Sequence, residues 1–431
     1  MEGYPVTVLH RNQYVANSNP FPVTSSFYPT QMDAFGRLRI SQPMTLFDSF
    51  NRYNQNSEFH QYTSNYAYSL YNSNQGCVVL TVGSNTGDLI YRETSKVFAY
   101  QPGKSLLVLE SFTFNPLRTG LRQRVGYFDT SNGIYLQANG SNISFVKRSS
   151  VTNNVVELNI PKSEWNYDKL NGDGISKKTL DITRTQILFI DIEWLGVGTV
   201  RTGFVIDGEF ILCHRFNHAN TPSNIYNDTT LPYMTTACLP VRYELENTAQ
   251  TGTNVTSRMI ATCVSILSEG GYEIRGKTRS IGWSELDAPR TLSLKNTLYP
   301  IIALRLKTSR FGAIVIPRGI SLINTVSGNC RWAIISGATV TNGTWVSAGD
   351  DSSVEYNLTG DNAITDGIIL SQGYFTATTN TSPNISLHSE QLRYQLERNS
   401  FTNTPTNFVI ALASSDINNK LLASIDWEEL T

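Results

Sequence analysis

Charge is scarce in this chain. Only 16% of its 431 residues are Asp, Glu, Lys or Arg, against about a quarter in an average globular protein. The formal net charge is −1, and the densest basic patch, Arg118, Arg122 and Arg124, is short and interrupted by apolar residues. A nucleic-acid platform needs clustered Lys and Arg, so no nucleic-acid partner is expected. Cysteine is sparse too: Cys77, Cys213, Cys238, Cys263 and Cys330 are scattered, odd in number and never spaced as CxxC. That spacing disfavours a disulfide framework and a zinc knuckle. No apolar run approaches bilayer-spanning length, heptads are absent, and no repeat of roughly 20–50 residues is visible. Membrane insertion, a coiled-coil shaft, propellers and β-helices are thereby disfavoured. The opening residues, MEGYPVTVLHRNQYV, lack an apolar signal core, so synthesis in a cytosol without general secretion is expected.

What the chain has instead is Asn, Ser, Thr, Gln and Tyr, with 21 tyrosines. An uncharged polar surface suits packing against other subunits, because few ions must be desolvated. At this length, two domains and a terminal arm are expected. Residues 1–42 read as an extended anchoring arm. Pro5, Pro20, Pro22 and Pro29 forbid a helix there, and Tyr4, Tyr14, Phe21 and Phe27 supply aromatic anchors.

From there the pattern is β. Leu188, Ile190, Ile192 and Trp194 alternate with Phe189, Asp191, Glu193 and Leu195, Gly196 and Gly198 interrupt, and Asp207-Gly208 turns between two further runs. Asp-Gly between alternating runs is the strongest short-range hairpin signal. Cys77–Val82, Ser105–Phe114, Arg122–Phe128, Ile134–Gln137, Ser144–Lys147 and Val155–Ile160 extend the series to some ten short strands. The reading is an all-β protein: a lectin-like or jelly-roll antiparallel sandwich over 43–268, then a second, smaller β-sandwich over 269–431. Gly270-Gly271 marks the boundary, and residues 386–400 are expected to hold a helical turn or two.

Candidate chemistry is thin. Asp191 and Glu193 share a strand face, as carboxylates do in the Glu-x-Asp-x-Glu strand of lectin-like sandwich glycosidases, but the nucleophile position holds Phe189. Two carboxyls about 5–5.5 Å apart must flank a scissile bond in retaining hydrolysis, and an i, i+2 pair does not straddle a sugar. A salt bridge to Arg201 or Arg215 is the expected role. His214 and His218 lack a third ligand, and Gly196-Val-Gly198-Thr-Val-Arg201 is followed by a strand rather than the helix a phosphate loop needs. No catalytic, cofactor or metal residues are therefore assigned. Loop aromatics Tyr226, Tyr233 and Trp345 are the candidates for glycan contact.

Several motifs occur together in order: Asp33-Ala-Phe-Gly-Arg-Leu-Arg-Ile-Ser41, Thr45-Leu-Phe-Asp-Ser49, Arg122-Gln-Arg-Val-Gly-Tyr-Phe-Asp129, Trp194-Leu-Gly-Val-Gly198, Phe216-Asn-His-Ala-Asn220 and Leu239-Pro-Val-Arg-Tyr-Glu-Leu-Glu-Asn247. Over roughly residues 33–250 the chain resembles a family of virion structural proteins of tailed bacteriophages, especially phages of cyanobacteria and other aquatic bacteria. The resemblance implies a virion component assembled in the host cytoplasm, with capsid, neck or tail proteins as partners. It also gives Arg37 and Arg39 a place in the anchoring arm, across from Leu38 and Ile40 on an extended segment. The expectation is a non-enzymatic, homo-oligomeric decoration, neck or tail-associated subunit. Its alternatives are a receptor-binding module for host glycans and, behind that, a glycan depolymerase.

Overall fold

Side chains that alternate in polarity leave a strand with one face that water penalises, so strands pair until those faces meet. In the computed structural model this yields an all-β protein whose sheets are antiparallel. The structure describes residues 9–10, 13–14, 32–33, 36, 42–98, 100–222, 230–271, 275–286, 288–310, 312–326, 328–377, 384–386, 394–399 and 404–430. Among them there is no α-helix. Residues 387–393 and 400 of the 386–400 segment lie outside the described residues; of the rest, Tyr394 is in a 3-10 turn and Arg398–Asn399 is strand.

Two sheets build the first sandwich. A seven-stranded sheet runs in the order Val156–Pro161, Asn142–Ser149, Gly133–Gly140, Arg118–Phe128, Val241–Asn247, Leu89–Thr94 and Phe59–Ser64. An eight-stranded sheet faces it: Glu209–Phe216, Val200–Ile206, Gln186–Ile192, Ser105–Thr113, Ser257–Glu269, Cys77–Val82 and Tyr68–Asn72, with Met44–Ser49 also on Ser257–Glu269. The expected hairpin is present. Asp207 and Gly208 take φ of 54° and 81° between strands paired in register, the two positive values a tight hairpin turn needs. Gly203 has a different duty. A side chain there would meet the Phe189 ring at 2.7 Å, so its absence lets that aromatic lie on the backbone.

Alternate residues of both sheets, such as Val125, Tyr127, Leu136, Val108, Leu188 and Ile190, meet in one continuous core. Phe145 and Phe204, from opposite sheets, enclose Trp165 at ring distances of 4.6 and 6.3 Å. Burying each such ring contributes about 1.5–3 kcal/mol.

The strand Ser257–Glu269 ends at Gly270 and Gly271, both at positive φ. Beyond them a five-stranded sheet (Lys277–Gly282, Asn419–Leu430, Ile314–Asn324, Asn384–Ser386, with Arg290–Leu292 on Asn419–Leu430) packs on a six-stranded one. The latter runs Val346–Ser347, Val354–Asn357, Tyr299–Leu306, Phe408–Ser414, Gly328–Ser336 and Ile368–Ala377. Leu304, Ile320, Ile334, Ile410, Ile425 and Trp427 form its core. The two sandwiches touch where Val97 packs against Ile314 and Ile316. Gln395 Nε2 donates to the Val97 carbonyl at 3.0 Å, and Lys96 pairs with both Glu58 and Glu397.

Candidate functional site

The Asp191 carboxylate is occupied. Cross-strand register sets Arg201 opposite it, and the guanidinium donates from Nε at 2.9 Å and from Nη2, while Ser105 Oγ donates to the other oxygen. Arg201 also donates to the carbonyl of Met32, next to buried Asp33. The arginine of the expected salt bridge thus also holds Met32, the residue just before the Asp33–Ser41 motif. Glu193 lies just past the strand end; burial pushes its carboxyl up, with Asp33 and Asp191 adding to the effect against a hydrogen bond from Thr199 N–H. These carboxylates cluster on one arginine rather than flanking a cleft. Of the arm, Tyr4, Phe21, Phe27, Arg37 and Arg39 lie outside the described residues. Tyr14 sits in the short strand Gln13–Tyr14, with its side chain likewise outside them.

His218 and Tyr233 close the neighbouring Gly196–Gly198 loop. Their rings stack at 3.9 Å and 8°. His218 Nδ1 sits 2.5 Å from the Gly198 carbonyl, and Tyr233 Oη donates to the Glu193 carbonyl at 3.1 Å. The Gly198 N–H donates to the Trp194 carbonyl, so it is not aimed at an anion. Tyr233, expected on an exposed loop, is only 4% exposed. The stack on His218 removes it from any open platform, which corrects that expectation. His214 lies edge-on to Phe216 rather than beside His218's partners. Burial lowers His214 to about 4 and His218 to about 3, so both are neutral at pH 7. Among the described residues no group of three His, Cys, Asp or Glu could hold a metal.

Trp345 is half-buried, and one ring face is covered by the Arg305 guanidinium at 3.9 Å, itself paired with Glu355. Tyr226 lies outside the described residues.

Two features went unread in the sequence. The first is a charge ladder on the face of the seven-stranded sheet turned away from the core. Arg148 pairs with Glu157 at 2.7 Å, Glu157 with Arg124 at 3.4 Å, and Arg124 with Glu244 at 3.1 Å. Glu244 continues to Arg242 at 2.6 Å, and Arg242 to Glu93 at 3.0 Å. Rings brace the row: Arg242 lies 3.6 Å over Tyr91, and Arg148 lies 5.1 Å over Tyr135. Burial would raise the Glu244 carboxyl, but Arg242 and Arg124 hold it at about 2. A carboxylate that stays ionised this firmly cannot donate a proton near neutrality. The ladder joins five of the sheet's seven strands through ion pairs.

The second feature is an edge where the two sheets meet. Residues 53–75 contain five tyrosines, five asparagines, three glutamines and one charged residue, Glu58. Phe59–Ser64 is the last strand of one sheet and Tyr68–Asn72 the last of the other, joined by residues 65–67. Tyr53 and Tyr66 are 83% and 71% exposed, and Tyr62, Tyr68 and Leu70 are exposed as well. The backbone beneath is pinned. Ser69 Oγ donates to Gln61 at 2.5 Å across the two edge strands, Tyr71 Oη to the Arg52 carbonyl at 2.7 Å, and Asn65 Nδ2 to Gly87 at 2.9 Å. Tyr62 stacks on Tyr91 at 5.2 Å, which ties the edge to the ladder. Tyrosine presents an apolar ring with a hydroxyl tip, and Asn and Gln both donate and accept. The edge therefore offers apolar ring faces beside neutral donors and acceptors.

No family model and no curated protein matches the sequence. Solved structures similar to the chain include the conserved carbohydrate esterase of the Shiga toxin-encoding bacteriophage phi24B, at 10% identity and TM-score 0.30 over 53% of this chain and 100% of that one. The exoplasmic/lumenal domain of VIP36 in its Ca2+/Man3GlcNAc-bound form is similar at 11% identity and TM-score 0.30, over 52% of this chain and 90% of that one. A beta-1,3-glucanase from Mycobacterium marinum is similar at 10% identity and TM-score 0.34, over 52% and 98%. Likenesses at these TM-scores carry no argument about activity.

Proposed function

We propose that this protein is a non-enzymatic virion component of a tailed bacteriophage that attaches to uncharged glycans of the host surface through the tyrosine-rich edge at residues 53–72. The observation that carries the reading is that edge: exposed rings and amides, almost free of charge, on a backbone pinned at several points. A sugar has the matching chemistry, with apolar C–H faces for the rings and hydroxyls for the amides. A pinned frame keeps the ordering cost of binding low. In this reading the N-terminal arm holds the particle, and the bond from Arg201 to the Met32 carbonyl fixes where the arm leaves the sandwich. The carboxylates weighed as acid or base are engaged instead in ion pairs or held near the Arg201 cluster.

The test is binding of labelled full-length protein to host cells and to a glycan array. Replacing Tyr53, Tyr66 and Tyr68 together by Ala is expected to weaken binding by about tenfold or more, equivalent to about 1.4 kcal/mol, with the melting temperature unchanged. A wild type that binds purified tails or capsids but neither cells nor any glycan rejects the attachment role and leaves a structural ornament.

A further inference from the structure

A sheet edge presents a row of unpaired N–H and C=O groups, and proteins guard such edges with charge, proline or shortness. Most edges of this molecule follow that rule. Val156–Pro161 carries Glu157 and Pro161, Glu209–Phe216 carries Glu209 and Arg215, and Lys277–Gly282 carries Lys277 and Arg279. Asn384–Ser386 and Val346–Ser347 are three and two residues long. The uncharged edge strands Phe59–Ser64 and Tyr68–Asn72 and the strand Ile368–Ala377 break it, and the last is the longest of the three. This ten-residue strand, IILSQGYFTA, contains no charge and no proline, and among the described residues it is hydrogen-bonded on one side only, to Gly328–Ser336. Ile368 and Tyr374 are 66% and 79% exposed, and Ile369 and Leu370 are exposed beside them. Its one irregularity is a bulge near Leu370.

We infer that Ile368–Ala377 is an assembly edge that pairs antiparallel with the same strand of a second copy of this chain. A strand of this length leaves about five N–H and five C=O groups pointing outward, and only another strand satisfies them all in register. The occupant follows from the lack of charge. A twofold axis sets a surface against itself, and any charged residue near the axis meets its own like. The strand itself carries none, and the Arg331 guanidinium of the adjacent strand is engaged in donating to the Gln372 side chain at 2.6 Å. Gly373, near the middle, has no side chain, and the Trp332 ring covers the side that faces the core. With Gly373 on the axis, Tyr374 falls opposite Gln372 of the second copy, so apolar and amide groups meet. The side chains that would be covered are the exposed aliphatics and Tyr374, which water penalises in the free chain.

Sedimentation of the full-length protein across the micromolar range tests this, combined with hydrogen exchange of the strand's amides. The wild type is expected to dimerise, with slow exchange at the outward amides of 368–377. The double variant Leu370→Lys, Tyr374→Lys puts like charges at the junction. It is expected to raise the dissociation constant by about tenfold or more and to speed that exchange, while the melting temperature of the monomer stays put because both sites are exposed. A wild type that stays monomeric with rapidly exchanging edge amides overturns the inference, and so does an assembly that survives the double variant. The measurement involves no glycan and is independent of the attachment reading.

Discussion

Glu244 and Glu110 lie on opposite sheets of the same sandwich, and both are almost fully buried. Their charge states diverge. Glu244 is gripped by Arg242 and Arg124 and held at about 2. Glu110 shares a strand face with Leu106, Val108 and Phe112, so it points into the inter-sheet core, where neither carboxylate oxygen has a hydrogen-bond partner among the described residues. Burial pushes its carboxyl well above the usual range. Burial is common to both; the counter-ion decides. Six charged residues line up as ion pairs in the ladder from Glu93 to Arg148, on the outward face of the seven-stranded sheet, while residues 53–75 and Ile368–Ala377 are left nearly bare. The ladder is charged and paired, and the surfaces proposed to meet partners are neutral.

The largest effect should come from breaking the paired side. Glu244→Ala leaves Arg242 and Arg124 each short of a carboxylate in a buried row. Removing one member of such a network costs about 3–5 kcal/mol, to be measured by urea denaturation. The loss should be largest at neutral pH and shrink only in strong acid, because stability from a depressed carboxylate is present above its unfolded pKa and is lost as pH falls through about 2. A cost no larger than that of Tyr66→Ala would mean that the ladder does not brace the sheet.

Much of this architecture was legible because local chemistry dictated it. Asp207-Gly208 fixed one hairpin, and a near-continuous apolar run located Cys77–Val82 to the residue. Other strands, such as Arg118–Phe128 and Ile368–Ala377, extend past their apolar centres, because neighbouring strands supply pairing where propensity is weak. The first sandwich has seven plus eight strands, not some ten. Those missed include Phe59–Ser64 and Tyr68–Asn72, whose Gln, Ser and Tyr residues barely alternate in hydrophobicity. The bond between Asp191 and Arg201 was readable as a pair across a short hairpin. The bond between Arg124 and Glu244 was not, since 120 residues separate them. The available signal was alternation of charge itself, Arg122-x-Arg124 and Arg242-x-Glu244-x-Glu246, which reads equally as a solvated face. Tyr233 misled for the converse reason: a Pro-containing loop looks exposed until His218 stacks on it.

Glu110 offers the reverse experiment. Because its folded carboxyl titrates high, the stability it permits is present below the ordinary carboxylate range and is lost as pH rises. Glu110→Leu is therefore expected to stabilise the protein by about 1–3 kcal/mol at neutral pH, with a smaller gain near pH 4, read from denaturation at both values. Loss of stability at neutral pH instead would point to a partner for Glu110 within the core.

The histidines bound the comparison from the acid side, with the smallest effect. His214 has burial and no carboxylate beside it, and it titrates at about 4. Its stabilising contribution is complete above the ordinary histidine range and is lost as pH falls from about 6.5 through that lowered value. Each unit of descent within that window removes about 1.4 kcal/mol per histidine, so at about pH 5.5, one unit below its start, the loss should be about 1.4 kcal/mol. His214→Phe keeps an aromatic edge against Phe216 and carries no proton, so its melting temperature should fall less than the wild type's between pH 7.5 and 5.5. His218→Phe should flatten the profile similarly, but it begins less stable because the contact with the Gly198 carbonyl is lost. If both variants keep the wild-type slope, the protons are taken up elsewhere. His60, half-buried and likewise lowered by burial, would then be the group to pursue.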